Sequence, residues 1–254
     1  MDLTLGLPPA ALAVILCAFL VGGFLKGALG FGLPLLTMAT VTLVAPVPVG
    51  LALNAVVTTI LNVAQSAEGG RARPVIARFW PLHASLPAGV AVGAAFLATV
   101  DEAGLRLVLG LLVLAYVATT AFGLRLRIAP ARERAAGVLT GLVGGVVAAL
   151  TTANGPVLLM YLLGIDLDRT DFRVAIGQMF LASGLLAGAV FVALGLLDAE
   201  RAALGLICLI PAAFGVWAGL RLGRRLDPRL FRAAVLAGLG AIGLNYTLRG
   251  LGAI

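Results

Sequence analysis

Two stretches of this 254-residue chain could do chemistry in apolar surroundings, and each is an interruption followed by proline. The first is Gly30-Phe31-Gly32-Leu33-Pro34, the second Thr151-Thr152-Ala153-Asn154-Gly155-Pro156. Proline at a first helical position gives up no intrahelical hydrogen bond, and the glycines, or Asn154, let the chain turn sharply before it. Each interruption therefore exposes the unpaired N–H groups of a new helix, carrying about half a positive charge. Two such ends approaching from opposite faces of an apolar slab make a place for an anion. Phosphate at helix N-termini and carboxylate at broken transporter helices are held by the same physics. The bland alternative is a pair of kinks with packing glycines. Thr151, Thr152 and Asn154 weigh against it, because lipid does not tolerate such a cluster unless protein or a cavity faces it.

Further polar residues accompany the breaks. Asn54, Thr58, Asn62 and Gln65 recur at intervals of 4, 4 and 3, one stripe of a helix, which either lines something wet or bonds to neighbouring helices. Gln178 is the nearest later counterpart of Asn54. Lys26, the sole lysine, lies one turn before Gly30. It either snorkels to the interface or lends a full positive charge to the anion pocket. His83, the sole histidine, is open to a proton-relay reading and to a hydrogen-bonded structural one. No H-E-x-x-H, P-loop or dinucleotide fingerprint is present, and no motif calls for a cofactor or a metal. The 11 carboxylates fall near the ends of apolar segments, which leaves no buried acid–base pair. Ser183-Gly184 with His83 imitates a serine dyad, but Leu181 stands where such a nucleophile motif wants glycine. An enzyme is not expected.

The elements that must position these residues are transmembrane helices. Hydrophobic residues make up 61% of the chain and charged ones 11%, with a mean hydropathy of +1.12. Soluble domains run at roughly 45–50% and 25%. Long unbroken apolar runs exclude a β-barrel, so the fold class is an all-α polytopic membrane protein. Apolar segments cover residues 11–29, 33–45, 48–66, 75–99, 103–124, 135–151, 155–165, 172–197, 202–220 and 229–248. The segments at Leu33 and Gly155 reach only about 16–20 Å against a hydrocarbon thickness of about 30 Å. The sequence thus predicts about eight full spans and two short broken or re-entrant helices. The N-terminal run lacks a positive flank and reads as a retained span. Cys17 and Cys208 read as two buried small hydrophobes. The net charge of +7 sits in short loops without interleaved aromatics, which orients a membrane protein and does not bind nucleic acid.

The paired breaks prompt a search for duplication. Aligning Pro34 with Pro156 brings Gly22-Gly23 onto Gly144-Gly145 and Met38 onto Met160. Further along, Pro87 meets Pro211 and Val100-Asp101 meets Leu226-Asp227. The chain divides into a first repeat, 1–127, and a second, 128–254, within one bundle. With the N-terminus outside, fourteen arginines from Arg71 to Arg232 fall in inner loops. Only Arg106, Arg201 and Arg249 fall outside. That balance requires each repeat to cross an odd number of times, so the second is inverted and both termini lie on the outer side. Inverted repeats are a transporter signature.

The run Gly27-Ala28-Leu29-Gly30-Phe31-Gly32-Leu33-Pro34, its partner Ala153-Asn154-Gly155-Pro156 and the duplicated layout resemble the TauE/SafE sulfite exporter family over almost the entire chain. The sequence departs from the pattern in having no run of three glycines after Phe31, in Lys26, and in Thr-Ala-Asn-Gly-Pro for a second glycine cluster. The resemblance implies export of sulfite, an organosulfonate or a related small anion across a bacterial cytoplasmic membrane. The expected protein is a secondary transporter working by alternating access. Its substrate would meet Lys26, Gly30, Phe31, Gly32, Leu33, Asn54, Thr58, Thr151, Thr152, Asn154, Gly155 and Gln178. The alternatives are an anion channel with the same pocket and a non-transporting accessory subunit.

Overall fold

A computed structural model describes residues 5–122, 127–223 and 228–253. Arg125, Arg224, Arg225 and the Leu226-Asp227 pair invoked above lie outside the described residues, as do the side chains of Arg229 and Arg232. Ten α-helices follow in order: α1 (Pro9–Leu29), α2 (Leu33–Val41), α3 (Val47–Ser66), α4 (Ala72–Leu97), α5 (Glu102–Ala121), α6 (Glu133–Thr151), α7 (Gly155–Leu162), α8 (Arg169–Ala193), α9 (Ala199–Leu222) and α10 (Pro228–Gly250). There is no strand among the described residues. Among the described residues seven helices, α1, α3, α4, α5, α6, α8 and α9, are long and apolar enough to cross a membrane.

The helix starts follow local chemistry. Asp101, Asp168 and Asp198 cap α5, α8 and α9 by accepting backbone N–H groups of the first turn. The short helices α2 and α7 instead begin with proline in the first turn and no side-chain cap. With 9 and 8 residues they rise only about 12–14 Å, and both end before the apolar segments that contain them. Each doubles back on the long helix before it. Thr37 and Leu33 of α2 lie against Gly22 of α1. On the other hairpin, Tyr161 Oη donates to Glu133 O at 3.2 Å and Ile128 N to Gly164 O at 2.8 Å, so α7 returns toward the start of α6.

Charge separates to two ends. At one, Arg71–Asp171 (2.7 Å), Arg78–Glu133 (2.7 Å) and Arg173–Glu68 (2.9 Å) tie together the α3–α4 connection and the starts of α4, α6 and α8. At the other, Glu102–Arg106 and Asp198–Arg201 bridge within the first turns of α5 and α9. Between the ends, large apolar side chains such as Trp80, Ile210 and Phe214 point outward, as a lipid-facing surface requires.

The closest helix pairs are α1 with α9, α4 with α6, α5 with α10, and α3 with α8. Glycines at intervals of four make the first two seams. A Cβ on Gly23 or Gly27 would fall 2.1 or 2.2 Å from a carbonyl oxygen of α9, and one on Gly215 or Gly219 equally close to α1. Gly89 and Gly93 of α4 interlock in the same way with Gly141 and Gly145 of α6, at 2.1–2.7 Å. Small residues at this spacing let helix backbones touch where apolar side chains gain nothing by leaving lipid.

Candidate functional site

The second break is built from a strained turn. Thr152, the C-cap of α6, has φ 55° and ψ −6°, a left-handed conformation rare for a β-branched residue. The glycine or Asn154 expected to turn the chain does not do so, because Asn154 sits at φ −74° and ψ 1° as the N-cap of α7. Thr151 Oγ1 accepts from Ala153 N at 3.1 Å, which braces the turn. An asparagine at an N-cap ordinarily accepts an N–H of the first turn. Asn154 does not. It is 0% exposed, and both its Nδ2 and its Oδ1 are without a partner. Buried amides are nearly always satisfied, and this one costs free energy until something bonds to it.

A narrow cavity adjoins the break, with room for about one water molecule. Asn54, Ala55 and Thr58 of α3, Ala148 and Thr152, and Phe180, Ser183, Gly184 and Ala187 of α8 line it. No charged side chain is among them. Thr58 Oγ1 is buried without a partner. Asn54 accepts from Thr37 Oγ1 at 2.6 Å and donates to Gly50 O at 3.2 Å. The wall thus sets a few hydroxyl and amide groups among methyl groups and a phenyl ring.

The first break lies elsewhere. Gly30 and Gly32 take φ 89° and 102°, as the sequence requires, but none of Gly30, Phe31, Gly32 and Leu33 lines the cavity. Phe31 and Leu33 pack into separate apolar clusters. Lys26 has not snorkelled. It is 6% exposed, and its Nζ donates to Asn62 Oδ1 and Gln65 Oε1, both at 2.6 Å. Gln65 Nε2 donates in turn to Gly30 O at 3.1 Å and Arg173 O at 3.0 Å. The polar stripe of α3 is therefore divided: Asn54 and Thr58 face the cavity, while Asn62 and Gln65 hold the lysine.

Phe180 is common to both. Its ring is fully buried and lines the cavity, would touch a Cβ on Gly155 at 3.4 Å, and has its centroid 5.9 Å from Lys26 Nζ. Nothing in the sequence singled it out, since a phenylalanine in an apolar helix is unremarked. Gln178, expected beside the substrate, is spent on the α3–α4 connection, donating to Ser66 O at 3.3 Å and Ala72 O at 2.8 Å. His83 belongs to α4, which contributes nothing to the cavity, and its Nε2 is buried without a partner. Cys208 is buried as expected, whereas Cys17 is exposed. No group of three metal-ligating residues occurs among the described residues.

Seven helices long and apolar enough to cross a membrane, and two proline-led hairpins with a narrow uncharged cavity beside the second, define a multi-pass helical membrane protein. The chain belongs to the sulfite exporter TauE/SafE family, a family of membrane transporters, whose model matches residues 14–246. Neither a curated protein nor a solved structure gives a match.

Proposed function

We propose that this chain is a secondary transporter that exports a small anion, such as sulfite or an organosulfonate, and binds it at the second break. The observation that carries the reading is Asn154, a fully buried amide at a helix N-terminus with neither atom satisfied. An anion bound there accepts from Asn154 Nδ2, from the free N–H groups of α7 and from the Thr58 hydroxyl, with Asn54, Thr151, Thr152 and Gly155 shaping the site. Neutral donors hold a charge without trapping it, which a carrier needs. Lys26, Gly30, Phe31, Gly32, Leu33 and Gln178 lie outside the lining of this cavity.

Alternating access by two inverted repeats, 1–127 and 128–254, completes the proposal. The packing supports it: α1 on α9 and α4 on α6 are the same contact with the copies exchanged, and α3 on α8 and α5 on α10 are each a pair of counterparts. The arginine-rich end then faces the cytoplasm, both termini face outward, α10 is the eighth span, and the membrane is a bacterial inner membrane.

Purified protein in proteoliposomes tests the reading. Asn154→Leu removes one hydrogen bond to a charged ligand, about 1.5–3 kcal/mol, and lowers uptake of the transported anion roughly tenfold or more. Unchanged uptake by folded Asn154→Leu protein refutes the site. Trans-stimulated counterflow is the outcome expected of a carrier, and its absence with brisk, unsaturable flux identifies a channel.

A further inference from the structure

Lys26 is the one lysine, arginine, aspartate or glutamate side chain that is buried among the described residues, and no carboxylate pairs with it there. Two of its three N–H groups go to the neutral oxygens of Asn62 and Gln65. Around it, α9 presents Val216 and Leu220 beside Gly27. From α8 come the Phe180 ring and Arg173, the latter already paired with Glu68. An ammonium held only by amide oxygens in a low-dielectric interior is poorly compensated, so a nearby negative charge acts on it strongly. The same phenyl ring lines the cavity, and a side chain with four rotatable bonds can follow an anion placed there.

Gln65 connects this lysine to a clasp. Its Oε1 accepts from Lys26, while its Nε2 bonds the last carbonyl before the first break, Gly30 O, and the backbone of α8 at Arg173 O. The adjoining α3–α4 connection is fastened to the start of α8 three times more, by Glu68–Arg173, by Arg71–Asp171, and by Gln178 donating to Ser66 O and Ala72 O. Gly177 lies directly beneath, where a Cβ would fall 3.0 Å from Ser66 N. The clasp thus ties the arginine-rich end to the first break and to α8.

Resting on the anion reading of the cavity, we infer that Lys26 is a positioning residue that links occupancy of the cavity to this clasp. An anion beside Thr58 and Asn154 draws the ammonium toward itself past Phe180. Gln65 then loses the donor that fixes its amide, its bonds to Gly30 and Arg173 weaken, and the connection over residues 66–72 loosens. The loaded protein opens and closes its arginine-rich end faster than the empty one.

Hydrogen exchange on purified full-length protein tests this, with sulfoacetate, sulfite and thiosulfate screened as probes and the one that raises the Tm used at saturation. Amides of residues 66–72 exchange about tenfold faster with the probe than without it, as local opening becomes more populated. Lys26→Arg keeps the response. Lys26→Met still shows a Tm rise with the probe but no change in exchange over 66–72. Gln65→Leu exchanges fast already without probe, which covers the case in which Lys26→Met does not fold. Equal acceleration in the parent and in Lys26→Met overturns the inference, as does an unchanged rate in a parent whose Tm the probe raises. If no probe raises the parent's Tm, the anion reading of the cavity fails first and takes this link with it.

Discussion

Thr37 on the short helix α2 shares its one hydroxyl proton between Asn54 Oδ1 on α3 at 2.6 Å and Leu33 O at 2.7 Å, and so ties α2 to the cavity wall. With its oxygen so engaged, Asn54 turns its nitrogen to Gly50 O while lining the cavity. Thr37→Val removes that constraint. The expected result is a loss of about 1 kcal/mol in stability, read from the Tm, together with a raised KM for the transported anion. An unaltered KM would show that the Asn54 orientation is irrelevant to substrate.

The turn at Thr152 stores strain. A β-branched residue in the left-handed region costs about 1–3 kcal/mol relative to a residue that adopts it freely. Thr152→Gly should therefore raise the Tm while lowering uptake, because the hydroxyl and methyl that shape the cavity are gone. A variant less stable than the parent contradicts this account of the turn.

Glycines divide sharply by what surrounds them. Gly23→Ala and Gly145→Ala push a methyl into backbone at 2.1 and 2.5 Å, so each is expected to cost about 1–3 kcal/mol or more by overpacking. Gly155→Ala meets only the edge of Phe180 at 3.4 Å, an ordinary contact, and should fold with a near-parental Tm. Thermal unfolding in detergent ranks the three; equal losses would contradict the seams.

Phe180→Ala should cost about 3–5 kcal/mol, the range for emptying a buried phenyl site. Phe180→Leu should restore much of the stability. Both merge the cavity with the space around Lys26, so competition assays should show bulkier sulfonates inhibiting uptake better than they inhibit the parent. Unchanged selectivity in the folded leucine variant would remove the partition assigned to this ring.

The helices were legible because apolar length and proline placement are local properties. Both short arms, at Leu33 and at Gly155, begin at the residue the sequence indicates. What holds them was not legible. The acceptors of Lys26 lie 36 and 39 residues away, and no periodicity tells that a stripe from Asn54 to Gln65 will be split between a cavity and a lysine. The sequence also suggests that both breaks share one pocket, since each has the same physics. The packing of Phe180 between them is a matter of which helix faces meet, and that is settled by glycines far apart in the chain. The strained turn at Thr152 was hidden for a simpler reason: turns are sought at glycine and asparagine, and here a threonine accepts the strain.

The glycine seams bear on how such a chain can come into being and be taken apart. Because α1 fits against α9 and α4 against α6, a fragment ending near residue 127 carries its notched surfaces with nothing to fill them. Expressed separately, each fragment should persist only when its complement is made in the same cell. The molecule behaves like two interlaced hands, which grip each other before either can hold anything.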